Sequence, residues 1–312
     1  MKFPIFDLHC DTASKMICNP DWIIPLREND LHIDLKRTTQ FQGYAQCFAC
    51  FTTTENDCNP MLSFEKQMIA VLSELKKNKQ FIRQAFTSKD IIENRNQGVA
   101  SAILTLEGSA GIGFDPLLLE DLYKIGFRIS SLGWNEKNPL TGSQATGGGL
   151  TELGVEYVKE AQRLGMIVDV SHISDEGFWD IMDITQAPIV ATHSNSRSLC
   201  DVKRNLSDEM FREICNTDGV IGINLYADFL GEHPDLDTIC RHIFHFLEID
   251  PNGRHIAFGG DLDGCETLAC GFTGVESYPT LAEYLLARGL DETTLYNIFW
   301  NNAMGVMERC CM

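Results

Sequence analysis

Ile5-Phe6-Asp7-Leu8-His9-Cys10-Asp11 stands at the very start of the chain. It is a short apolar run closed by polar residues, the pattern of a buried strand. Side chains of an extended strand alternate between faces. His9 and Asp11 should therefore share one face and Cys10 the other. An imidazole and a carboxylate side by side at a strand end make half of a site for zinc or a similar divalent ion. Taken alone, the pair reads equally well as a hydrogen-bonded histidine beside a turn aspartate. What gives it weight is that later strands end in the same way.

Working outward, strand-like segments recur at Phe6–His9, Tyr44–Phe51, Ala100–Glu107, Phe127–Trp134, Met166–His172, Pro188–His193, Val220–Tyr226 and His255–Asp261. Amphipathic helical stretches lie between them: Pro60–Lys77, Asp115–Ile125, Thr151–Leu164, Asp175–Ile184, Ser207–Cys215 and Leu236–Ile249. Thr151 and Ser207 are good N-caps, and Gly126, Gly165 and Gly219 sit where helices should stop. Pro279–Cys310 reads as two closing helices. Eight strands alternating with helices predict an α/β fold, a (β/α)8 TIM-type barrel forming a single catalytic domain over residues 1–312. The alternative, a doubly wound open sheet, lacks a G-x-G-x-x-G after the first strand. Gly108–Gly113 is glycine-rich but has no following Lys-Ser/Thr, which excludes a phosphate loop. Gly142–Gly149 is the most flexible-looking segment and reads either as a mobile active-site loop or as an ordinary surface loop.

The predicted strand ends carry the chemistry. They contribute His9 with Asp11, then Glu107, His172, His193 and Asp261, each at the end of a largely apolar run. In a barrel these ends converge on one face. Each residue has a bland reading singly: a helix cap, a buried hydrogen-bonded histidine, a turn aspartate. Together they read as a site. Three histidines, Asp11 and Glu107 exceed what one catalytic zinc takes. A carboxylate bridging two ions roughly 3.5–4 Å apart fits the number. The other histidines are set aside: His32 in a polar connection, His233 before a proline, His242 and His245 on a solvent face, His255 at the wrong end of the barrel.

Bulk properties exclude other classes. Asp plus Glu number 44 and Lys plus Arg 25, a net charge of −19 that disfavours nucleic acid and anionic membranes as partners. The twelve cysteines are scattered, several in apolar runs (Cys47, Cys50, Cys215, Cys240), as buried reduced thiols are. Cys47 and Cys50 form a C-x-x-C, but in a strand they should face opposite sides. Cys310-Cys311 reads as an exposed tail. Met1-Lys2-Phe3-Pro4 carries no secretory pattern, and no run approaches the roughly 18 apolar residues of a membrane span. The expectation is a cytoplasmic protein.

At these residues the sequence resembles the membrane (renal) dipeptidase family of zinc peptidases, among the amidohydrolase-like barrels and in a bacterial-type form. The matching pieces are Phe6-Asp7-Leu8-His9-Cys10-Asp11-Thr12, Leu106-Glu107-Gly108, Val168-Asp169-Val170-Ser171-His172, Ala187–Ser194, Lys203-Arg204-Asn205 and Phe258–Gly264. They run in family order along nearly the whole chain. The resemblance implies two zinc ions per chain. His9 and Asp11 would hold one, His172 and His193 the other, with Glu107 bridging. It implies that Asp261 lies beside the bridging hydroxide and that Arg204 binds the substrate's C-terminal carboxylate, a task suited to a guanidinium. It also implies a homodimer. One departure stands out. Where eukaryotic members carry a substrate-binding histidine, this chain has Trp134-Asn135. An asparagine there can donate to a developing oxyanion, whereas a tryptophan offers only its ring N–H.

The expected activity is hydrolysis of dipeptides by a metal-bridging hydroxide, with Asp261 and Glu107 as the catalytic carboxylates. The substrate is a dipeptide or other small amide. Rival readings are an N-acyl-(D-)amino-acid deacylase on the same site and a non-catalytic metal- or peptide-binding protein. A glycosidase using Asp261 and Asp263 would leave the histidines unexplained.

Overall fold

A computed structural model describes residues 2–19, 22–55 and 57–311. Met1, of the Met1-Lys2-Phe3-Pro4 stretch read above, lies outside them. Among the described residues there are nine parallel strands: β1 (Ile5–Cys10), β2 (Tyr44–Phe51), β3 (Ile82–Gln84), β4 (Ala100–Glu107), β5 (Phe127–Ser131), β6 (Ile167–Asp169), β7 (Ile189–Ala191), β8 (Val220–Ile223) and β9 (Ile256–Phe258). Pairing runs from β2 through β4, β5 and onward to β9 and β1, and β1 pairs β2, so eight strands close a barrel. β3 is the addition. It pairs only Ala100–Ala102 of β4, below the level at which β5 takes over that edge from Leu104 onward. Ile82-Arg83-Gln84 is too short and too polar to announce a strand in sequence.

Helices alternate with the strands as predicted. Pro60–Lys77, Asp175–Ile184 and Leu236–Ile249 fall on the expected bounds. Thr151 and Ser207 cap theirs through their hydroxyls, accepting from Gly154 N and Met210 N. Gly126 and Gly165 take the left-handed conformation at the helix ends. Gly219 does not. Asp218 adopts it instead, with φ at 57°, while a side chain on Gly219 would strike the Ile189 carbonyl, so that glycine lets the chain pack close under β7.

The barrel interior is filled by alternate strand residues, among them Phe6, Leu8, Ala45, Cys47, Ile103, Ile129, Ile167, Val190, Val220 and Ala257. Cys50 faces the outer core, as the alternation demands. The C-terminal segment closes the interior from the end opposite the site: Trp300, Met304, Met307 and Cys311 join the same cluster. Cys311 is therefore no exposed tail. It is 1% exposed, and its carbonyl accepts from Ser88 N. His242 is likewise buried rather than solvent-facing, accepting from Ser196 N and bonding the Leu230 carbonyl. It sits on the apolar face of its helix, between Ile239 and Phe246. No helix among the described residues is long and apolar enough to cross a membrane.

Candidate metal centre

Every metal-ligand candidate arrives at the rim formed by the strands' C-terminal ends. His9 is carried there by a register shift in β1 between Asp7 and Cys10. The bulge allows Leu8 to fill the barrel while the next residue, His9, turns to the rim. Asp11 has already left the strand. The two side chains meet as predicted, His9 Nε2 lying 3.3 Å from Asp11 Oδ2, but a bulge rather than simple alternation brings them together. Asp7 holds the bulge: buried, it accepts from His9 N at 2.9 Å, from Gly260 N and from the Tyr278 hydroxyl.

Glu107, at the end of β4, is shared by both sides of the rim. Its Oε2 is 3.3 Å from His9 Nε2 and its Oε1 3.0 Å from His172 Nε2 and 3.7 Å from His193 Nε2. Asp261 closes the arrangement, with Oδ1 3.9 Å from His9 Nε2 and Oδ2 accepting from Asn224 Nδ2 at 3.0 Å. Three metal-competent triads result: His9, Asp11 and Glu107; Glu107, His172 and His193; and His9, His193 and Asp261. His172 and Asp261 have positive φ (71° and 55°), a conformation rarely tolerated by non-glycine residues and concentrated at functional sites. A side chain on Gly264 would collide with both Asp11 and Asp261, so the backbone approaches the carboxylates closely there.

Hydrogen bonding fixes the imidazole protons. Thr192 Oγ1 donates to Asp169 Oδ2 at 2.5 Å, so it must accept from His193 Nδ1 at 2.8 Å. Asn135 Oδ1 accepts from Gln144 Nε2 at 2.6 Å and from His172 Nδ1 at 2.8 Å. Both rings carry their proton on Nδ1. Their bare Nε2 lone pairs face one another at 2.9 Å. Two acceptors at that separation with no proton between them repel unless a cation lies at their focus. Arg204 Nη2 leans on one of them at 3.2 Å. Asp11 Oδ1 is buried and has no hydrogen-bond partner among the described residues. The donor set, imidazole nitrogens and carboxylate oxygens, suits zinc and similar divalent ions. The residues fit a pair of divalent ions.

Without ions, the electrostatics are lopsided. Burial opposes a charge on His9, but Glu107 and Asp11 outweigh it and hold the imidazole well above its usual pKa. Burial, then the charge of Arg204, lowers His172 to about 4, and burial followed by His9 pushes His193 well down. Burial and the Glu107 charge raise Asp11 to about 7. Burial also raises Glu107, but His9 and His172 overcome it and keep that carboxylate well below the ordinary range.

Above these residues opens a cavity of about 420 Å³, lined in part by Phe51, Trp134, Asn135, Tyr226 and Asp263. That is at the small end of the roughly 300–1,000 Å³ of small-molecule sites. A more enclosed space of about 160 Å³ beside Tyr44 and Arg95 lies at the other end of the barrel and includes none of the metal-competent triads.

The membrane dipeptidase family, peptidase family M19, matches residues 1–310. The chain belongs to this family. It is 34% identical over 215 residues to an uncharacterized dipeptidase of Schizosaccharomyces pombe, covering 67% of this chain but 53% of that protein, so the match spans about half of that relative's length. An uncharacterized protein in the pqqA 5′ region of Klebsiella pneumoniae is 33% identical over 257 residues, 78% of this chain and 94% of that one. Among solved structures, a dipeptidase AC of family M19, a metallo peptidase, superposes with a TM-score of 0.90 at 25% identity, covering 100% of this chain and 99% of its own. A Rhodobacter sphaeroides metallo peptidase, liganded with a phosphinate mimic of the dipeptide L-Ala-D-Ala, shares the fold with a TM-score of 0.90 at 24% identity over 99% of this chain and 100% of its own.

Within this M19 barrel, the remaining predicted residues fall around the rim. Arg204 is 6% exposed and also donates to the His193 carbonyl, while its Nε has no partner among the described residues. Trp134 packs between Phe51 and His172, at ring distances of 5.0 and 6.0 Å. Sequence reasoning passed over several contributors. Asn224 follows the apolar run of β8 and obeys the same strand-end rule, though it is an amide rather than an imidazole or carboxylate. His32, set aside as a connection residue, braces Asp263: its backbone N donates to Asp263 Oδ1, and its Nδ1 accepts from Asp263 N. The Gly142–Gly149 segment is tied to the site by Gln144, whose N donates to the His172 carbonyl.

Proposed function

We propose that this protein is a dipeptidase dependent on two divalent ions, zinc by its donor set. The reading is carried by one observation: Glu107 offers one oxygen to His9 and the other to His172 and His193, whose Nε2 lone pairs converge without a proton. His9 and Asp11 would hold one ion, His172 and His193 the other, and Glu107 would bridge. When bound, the ions supply Lewis acidity and lower the pKa of water to near neutrality. The remaining work falls to the chain. The cavity of about 420 Å³ suits a short substrate. Arg204 is placed to exchange its contact with His172 for a bidentate pair with the substrate's C-terminal carboxylate. Asp261, oriented by Asn224, takes the proton released as water adds to the peptide carbonyl. It returns that proton to the nitrogen as the C–N bond breaks, giving a carboxylate and an amine.

The test is a dipeptide panel assayed alongside metal content on the same sample, expected to give about two ions per chain and turnover of at least one dipeptide. Turnover of N-acetyl amino acids alone would replace the reading with a deacylase, and a metal-loaded protein that turns over neither would replace it with a binding function.

A further inference from the structure

Asp169 ends β6 as a buried carboxylate, 4% exposed, and belongs to none of the metal-competent triads. Three donors hold it. Its Oδ1 accepts from Ser171 N at 2.9 Å and from Thr192 N at 3.0 Å, and its Oδ2 accepts from Thr192 Oγ1 at 2.5 Å. Backbone N–H groups cannot turn over, and a carboxylate has no proton to give. The Thr192 hydroxyl is therefore committed as a donor to Asp169. Only its lone pairs face His193 Nδ1, 2.8 Å away. The other tautomer of His193 would also find a partner. A proton on its Nε2 would meet His172 Nε2 at 2.9 Å, with Glu107 Oε1 at 3.7 Å. The two imidazoles would then pair with each other, and a cation would find no lone pair on His193.

We propose that Asp169 is a positioning residue that keeps the ion site of His172 and His193 open. Acting through Thr192, it denies His193 the tautomer that would give its Nε2 proton to His172. This rests on the two-ion reading of the centre. Asp169 touches neither ion nor substrate. Its isosteric replacement, Asp169→Asn, isolates the role. The two backbone donors keep the amide oxygen at the Oδ1 position, so the NH2 group must stand where Oδ2 stood and donate to Thr192. The hydroxyl proton then needs another acceptor, and His193 Nδ1 at 2.8 Å is nearer than Ser171 Oγ at 3.4 Å. The direction of the chain inverts while the backbone stays clamped.

The test compares the parent with Asp169→Asn, Thr192→Val and the double variant. Zinc affinity is read by competition with a chelating dye, and the His193 tautomer by nitrogen-15 NMR of the metal-free protein at neutral pH. The parent is expected to carry the His193 proton on Nδ1, and Asp169→Asn to carry it on Nε2. Asp169→Asn should weaken one ion of the pair by about 10- to 100-fold. In the Thr192→Val background, where nothing is left to transmit, the same change should cost less than about threefold. If Asp169 only clamps the backbone, Asp169→Asn will match the parent and the proposal is overturned. An equal loss in both backgrounds, or a parent with its proton on Nε2, overturns it too. Should Asp169→Asn fail to fold, Thr192→Val decides alone: its His193 proton is expected on Nε2, and retention on Nδ1 overturns the proposal. A parent that shows the expected tautomers and binds zinc, yet turns over no dipeptide, leaves the Asp169 assignment standing and removes the dipeptidase reading. A parent that binds no zinc overturns both.

Discussion

The two halves of the candidate centre are built on opposite principles. On the β1 side, His9 sits among Asp11, Glu107 and Asp261, an excess of negative charge that keeps the imidazole protonated without metal. On the β6–β7 side, His172 and His193 are tied through Nδ1 to Asn135 and Thr192 and present two bare nitrogens. One half lacks positive charge, and the other brings two lone pairs face to face with only the Arg204 contact on His172 to relieve them. A cation answers both needs, so dissimilar surroundings prepare similar sites. The difference also implies that each half fails in its own way.

Glu107 is the one residue common to both, and its replacement should do the most damage. Glu107→Gln is expected to abolish binding of both ions and to lower kcat/KM by on the order of 10³-fold or more. Retention of one full equivalent of metal by inductively coupled plasma analysis would show that the halves are independent. Asp11→Asn should empty only the β1 side, leaving about one ion per chain and little activity; loss of both would mean that the sites fill cooperatively. Thr192→Val removes the acceptor that orients His193 and should weaken only the β6–β7 ion, by roughly 10- to 100-fold, readable by competition with a chelating dye.

The smallest effect is a matter of sign. In metal-free protein the raised pKa of His9 contributes stability that is present below the unfolded value of about 6.5 and is lost as pH rises through the folded pKa. The lowered pKa of His172 does the reverse: its contribution is present above about 6.5 and is lost as pH falls toward about 4. Nitrogen-15 NMR of the metal-free protein at pH 7 should find His9 as imidazolium and His172 neutral with its proton on Nδ1. Two rings titrating together near 6.5 would erase the distinction.

Much of the rim was legible because a parallel barrel converts a one-dimensional rule, polar residue after apolar run, into a common location. His9, Glu107, His172, His193 and Asp261 all obey it. What was illegible depends on contacts distant in sequence. The bulge in β1 that turns His9 outward is fixed by Asp7 gripping Gly260 and Tyr278, more than 250 residues away. Gln144 and Asn135 look like ordinary loop residues until folding sets them against His172. β3 is defined by pairing with β4 and not by any pattern of its own. His242 was readable and was misassigned: its spacing from Ile239, Ile243 and Phe246 puts it on the buried side of the helix.

Among the described residues six non-glycine residues hold a positive φ, and four of them, Asp218, His172, Asp261 and Asp263, separate into two kinds. At Asp218 the conformation merely ends a helix, and a glycine there should raise the melting temperature at no cost to the cavity. At His172, Asp261 and Asp263 the same backbone strain shapes the rim of the candidate centre. On the dipeptidase reading, relaxing the unfavourable backbone at the rim would harden the protein at the expense of turnover. That reading sets thermal robustness against turnover at three identifiable positions, His172, Asp261 and Asp263, rather than diffusely across the fold.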